Sequence, residues 1–134
     1  MKKLIPLVLT LMLSGCFAID AMLMSKYDSS EYALIASLSS IAEVGNSECS
    51  DPVQMKVTAY SLLIKATEFK NYTADIPNNV ESIKMSSEIF TMVKGLSDRY
   101  NSGDLVSVAY CTSKMTIIER TSKTIQTAIG TKPR

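Results

Sequence analysis

The chain has 134 residues, of which 14 are basic, 13 acidic and none histidine, so the commonest general base and metal ligand is missing from the whole sequence. Near balance of charge, with no basic stripe along any segment, argues against a nucleic-acid partner, which needs clustered cations to displace counterions. Five scattered glycines form no phosphate-cradling loop, and there is no internal repeat or low-complexity segment, which leaves room for one small domain.

The first element in chain order is an export signal. Met1-Lys2-Lys3 supplies the positive end and Leu4 to Leu13 an apolar run broken only by Pro6 and Thr10. Those ten residues fall well short of the roughly 20 that a membrane-spanning helix needs. Leu13-Ser14-Gly15-Cys16 then reads as a lipobox, and on these four residues the chain resembles the bacterial lipoprotein family. That resemblance implies cleavage after residue 15, a diacylglycerol thioether on Cys16 and an acylated amino group there, with palmitate among the expected chains. Phe17 stands where an aspartate would retain a lipoprotein in the inner membrane. The resemblance therefore implies an outer-membrane anchor with the domain facing the periplasm. Two or three acyl chains hold a protein on a bilayer almost permanently.

Loss of Lys2 and Lys3 with the signal leaves 12 basic residues against 13 acidic ones, a net charge of about −1 on 119 residues. With Cys16 lipidated, Cys49 and Cys111 remain in a disulfide-permissive compartment, and a bridge between them is the economical expectation. Two free thiols or a bond to another chain are the alternatives. Closing a loop of some 60 residues stabilises by about 4 kcal/mol in the chain-entropy account.

Residues 16–28 form the lipidated start and a short tether. From Phe17 to Tyr27 it is apolar, and it is expected to pack on the domain in preference to lying on the membrane. Asp28 and Glu31 have capping-box spacing and open a first helix of roughly 29–44, with Leu34, Leu38 and Ile41 as its stripe, Ile35 and Ala42 widening it, and Gly45-Asn46 as its stop. Asp51-Pro52 opens a second helix. Here Val53, Val57, Tyr60 and Ile64 make one apolar row and Met55, Ala59, Leu62, Ala66 and Phe69 another, with Gln54, Thr58, Ser61, Lys65 and Glu68 as the single polar row. That pattern predicts the most enclosed helix of the four.

Asn71 to Pro77 reads as a connection, and Asn78 with Glu81 repeats the capping spacing. Val80, Ile83, Ile89, Phe90, Met92, Val93, Leu96 and Tyr100 give a third helix, in which Gly95 suggests a close helix contact. From Asp104, a heptad-like row of Leu105, Val108, Met115, Ile118, Ile125 and Ile129 runs to Gly130. Residues 131–134 read as a short frayed tail. The whole is expected to be all-α: a four-helix up-down-up-down bundle over residues 29–130. In that topology Cys111, about two turns into the last helix, lies only ~10 Å below the end that carries Cys49, so the bridge is sterically open.

Little in the sequence points to catalysis. No Ser-x-x-Lys motif or Gly-x-Ser-x-Gly elbow is present to activate a serine. The pairs Asp28/Glu31 and Glu48/Asp51 read as caps and solvated charges. Cys49 beside Glu48 and Asp51 makes a poor zinc set, and the methionines read as core filler. Neither metal nor cofactor is expected, and a non-catalytic protein-binding module is. On Cys16, Cys49, Cys111 and the helix order through 29–129, the mature chain is similar to the helical pilotins of type II secretion systems. The resemblance implies a groove that holds the amphipathic terminal helix of a secretin. A phage- or plasmid-encoded exclusion or immunity lipoprotein, which blocks an envelope receptor or toxin, is the alternative. Tyr60, Phe69, Phe90 and Tyr110 are the candidate anchors for a partner, as large aromatics often are.

Overall fold

A computed structural model describes residues 24–134; the signal, Cys16 and the tether up to residue 23 lie outside the described residues. The described chain folds into four α-helices with no strand: α1 (Ser29–Asn46), α2 (Pro52–Asp75), α3 (Val80–Asn101) and α4 (Val108–Gly130). α1 packs on α2 and α4, and α3 packs on the same two, with no packing across either diagonal. Short connections force each helix antiparallel to the one before it, and the result is the expected four-helix bundle.

Local chemistry sets most boundaries. Asp28 accepts from the amides of Ser30 and Glu31 and so caps α1, while Asp51 accepts from those of Val53 and Gln54 and caps α2, with Pro52 in its first turn. α2 runs on through Asn71–Asp75, which the sequence suggested as a connection. Weak helix formers there are overruled by tertiary contacts, since the Thr73 hydroxyl meets Ser86 at 2.8 Å and the Tyr72 hydroxyl reaches Asp28 at 3.1 Å. The real stop is Pro77, which holds Ile76 in extended backbone.

The capping box expected at Asn78 and Glu81 does not form. Asn78 takes a left-handed φ of 59°, and Asn79 stands at the N-cap with its side chain turned inward instead of onto the helix. Gly103, at φ 84°, turns the chain after α3, and α4 starts at Val108 under a Ser107 cap. Cys111 therefore sits in the first turn of α4, not two turns down. It is bonded to Cys49 of the α1–α2 connection, with the two Cα atoms 5.6 Å apart.

The core runs the length of the bundle: Ile35, Leu38 and Ala42 from α1, Met55, Leu62 and Phe69 from α2, Ile89, Val93 and Leu96 from α3, and Met115, Ile118, Ile125 and Ile129 from α4. Serines fill its narrow places. Ser82, Ser86 and Ser97 complete the inner face of α3 between its buried apolar residues. Gly45 is no helix stop; it lies inside α1 where a Cβ would run into Met115 and come within 2.8 Å of Thr58. Gly95 touches nothing and marks no close contact.

Candidate functional site

The departure from the expected pattern that bears most on function is on α2. Its row Met55, Ala59, Leu62, Ala66 and Phe69 is buried as expected, but Val53, Val57, Tyr60 and Ile64 are 76%, 58%, 59% and 41% exposed. With two neighbours only, a bundle helix buries about half its circumference, and the half of α2 that wins contains Thr58 from the supposed polar row. Thr58 is accommodated because Gly45 lets α1 approach and because its hydroxyl donates to the Glu48 carboxylate at 2.5 Å. α2 is thus not the most enclosed helix, and an apolar row faces outward.

That row has spacings of four, three and four residues, the periodicity a helix presents along a coiled-coil seam, and extends for about 16 Å. Beside it, α1 and α2 enclose an open groove of ≈ 430 Å³ whose walls include Ile41, Val44, Val57 and Ser61. Val44 is itself 62% exposed, so the groove and the row form one apolar face. Exposed apolar faces rimmed by polar groups mark interaction sites on small proteins. By helical position Lys56 flanks the row on the side toward α3, and the Lys65–Glu68 pair, 2.7 Å apart, flanks it on the side toward α1.

The four aromatic candidates do not form one patch. Tyr60 stands on the exposed row. Phe69 is fully buried in the core, so it is a packing residue and cannot serve as a docking anchor. Phe90, on α3, is half-buried beneath the Lys70 ammonium at 4.4 Å, and Tyr110, on α4, is half-buried with the Arg99 guanidinium 5.0 Å from its ring centre. The row residues Val53, Val57 and Ile64 were visible as a periodic set in sequence, but no sequence signal distinguishes a buried row from an exposed one.

No protein-family model, curated protein or solved structure matches this chain.

The four carboxylates that the sequence singled out, Asp28, Glu31, Glu48 and Asp51, all have structural partners. Glu48 takes the Thr58 hydroxyl, and Asp28 and Asp51 cap helices. At Asp28, the Glu31 amide, the Tyr72 hydroxyl, the Ser30 amide and the nearby Lys132 charge hold the carboxyl below the usual aspartate range, against a smaller opposing push from burial. At the other end, burial beneath the α3–α4 connection, reinforced by nearby Tyr110, raises the Tyr100 phenol above its ordinary value. Glu31 is fully buried and does not complete a capping box; its carboxylate meets the Lys132 ammonium at 2.6 Å and the Asn79 side-chain amide at 2.8 Å. Lys132, expected in a frayed tail, is 9% exposed. Among the described residues the Ser82 hydroxyl is the buried side-chain polar atom without a partner, and no group of three or more Cys, Asp or Glu is placed to hold a metal.

Proposed function

We propose that this protein is a lipid-anchored lipoprotein of the periplasmic face of the outer membrane that binds another envelope protein through the apolar face of α2 and the α1–α2 groove. The observation that carries the reading is the outward 4-3-4 row of Val53, Val57, Tyr60 and Ile64 on an otherwise well-packed bundle. An amphipathic partner helix with apolar residues at the same spacing fits such a row and would lay its own row alongside it. An acidic residue on one flank of that helix would face Lys56.

A secretin's terminal helix is the partner that the pilotin resemblance implies. Support comes from the shared arrangement of four helices with a disulfide from the first connection to the start of the last helix. The second reading, an exclusion or immunity lipoprotein, uses the same face to block a receptor, transporter or toxin.

The test is co-purification from cross-linked envelopes with wild type and with Val57→Glu/Tyr60→Glu, two changes at exposed positions, with circular dichroism as the check that the fold is kept. Loss of a wild-type partner in the variant supports the docking face, and equal recovery by both proteins overturns it. A secretin among the lost partners favours the pilotin reading; a porin, transporter or toxin favours exclusion. Palmitate incorporation that vanishes in Cys16→Ser tests the anchor separately.

A further inference from the structure

The last three residues, Lys132, Pro133 and Arg134, all engage the chain's opening segment or the groups that hold it. The Lys132 ammonium donates to Glu31 and, at 2.6 Å, to the Asn79 side-chain oxygen, which also accepts from the Ser25 hydroxyl at 2.7 Å. The Pro133 carbonyl accepts from the Tyr27 amide at 2.8 Å. The Arg134 guanidinium lies 5.6 Å from the centre of the Tyr27 ring, whose other neighbour is Tyr32 at 6.0 Å. The α2–α3 connection adds the Asn78 carbonyl, which accepts from the Ser25 amide at 3.2 Å. Ser25, Glu31, Asn79 and Lys132 are all buried, so four separate pieces of chain meet in one closed polar cluster.

A buried ion pair is costly to desolvate and contributes less to net stability than to fixing which segments meet. Nothing in the packing of the four helices requires the tail or residues 24–27; the core is complete without them. From this we infer that Lys132-Pro133-Arg134 is a clip that pins the anchor arm to the base of the bundle. Its consequence for the membrane rests on the lipid attachment proposed at Cys16. With the clip closed, eight residue steps separate Cys16 from Met24, a contour length of at most about 29 Å. With it open, the free arm reaches Asp28 and lengthens by about 14 Å. The closed clip keeps the α2–α3 end toward the bilayer and holds the disulfide end outward, with the α2 face alongside.

Trypsin reads the clip directly, because Lys26 is exposed beside the pinned Tyr27 amide and cleavage there requires the arm to lift away. The mature lipoprotein in phosphatidylethanolamine/phosphatidylglycerol vesicles is compared with a variant ending at Lys132, which keeps the Lys132–Glu31 pair but loses the Tyr27 acceptor and the Arg134 contact. The variant is expected to be cut after Lys26 and released from the vesicles at least tenfold faster, with an unchanged helical melting curve. A second variant, Glu31→Gln ending at Thr131, leaves no charge stranded and is expected to behave the same way. Amide exchange at Tyr27 should accelerate in both while that of Leu62 stays protected. Equal cleavage rates, or a Tyr27 amide that exchanges as fast in wild type as in the variants, would overturn the clip. Tyr27 exchange is also read on the detergent-solubilised protein, where it does not depend on acylation. Failure of the anchor shows instead as absent palmitate.

Discussion

The Lys132 ammonium and the Glu31 carboxylate lie 2.6 Å apart across 101 residues of sequence, with side chains 6% and 0% exposed. Asn79 bridges them by donating to one and accepting from the other. Removing either charge alone leaves its partner buried, which typically costs 3–5 kcal/mol, roughly. Replacing both with apolar side chains of similar length leaves no charge to strand. Lys132→Met and Glu31→Met are therefore each expected to lower the urea midpoint sharply, and the double variant to lose less stability than either single change. Strict additivity of the two losses would show that the pair is not coupled.

Two glycines within helices should respond in opposite directions to alanine. At Gly95 a Cβ meets no atom within 4 Å, so Gly95→Ala gains helix propensity and should stabilise by about 1 kcal/mol. At Gly45 the same methyl runs into Met115 and Thr58, and crowding of that kind costs about 1–3 kcal/mol. Chemical denaturation of the two variants in parallel reads the contrast, and a stabilised Gly45→Ala would mean that α1 can retreat from α2 at no cost.

The bond between Cys49 and Cys111 closes 62 residues and joins the first connection to the last helix. A Cys49→Ser/Cys111→Ser variant is expected to lose about 4 kcal/mol, because the unfolded chain regains the freedom of that loop. Reduction of the wild type should match the variant in urea midpoint. A loss under about 1 kcal/mol would place the stabilisation in helix packing alone.

Asp28 makes stability depend on acid pH. Its folded pKa lies below the ordinary 3.8, chiefly through the hydrogen bond from the Glu31 amide, so the carboxylate stabilises the fold above the unfolded value. That contribution disappears as pH falls through the lowered folded value. Asp28→Asn keeps an acceptor at the cap but has no proton to take up, and should show a shallower fall in urea midpoint below about pH 4 than the wild type. Asp28→Ala should lose about 1 kcal/mol even at neutral pH. Parallel acid profiles for wild type and Asp28→Asn would remove the carboxylate from the account.

Much of the fold was legible because its signals are local. Asp28 and Asp51-Pro52 mark helix starts through hydrogen bonds made within three residues, and the buried row of α2 follows from a 3.6-residue period. The candidate site was half legible. Its periodic row Val53, Val57, Tyr60 and Ile64 was in plain view, yet its exposure depends on which neighbours α2 has. Phe69 looked like an anchor by residue type and proved to be core, since position on the helix decides burial and aromaticity does not.

By itself, the sequence determined four helices, their order, the two cysteines left to pair, and the lipobox on which the expected anchor rests. Tertiary structure alone decided which of two apolar rows on α2 would face water, and that a tail of three residues would close onto the opening of the chain. Periodicity is a property of one helix and can be read from it. Burial and ion pairing over 101 residues belong to the meeting of separate segments, and they exist only once the chain has packed.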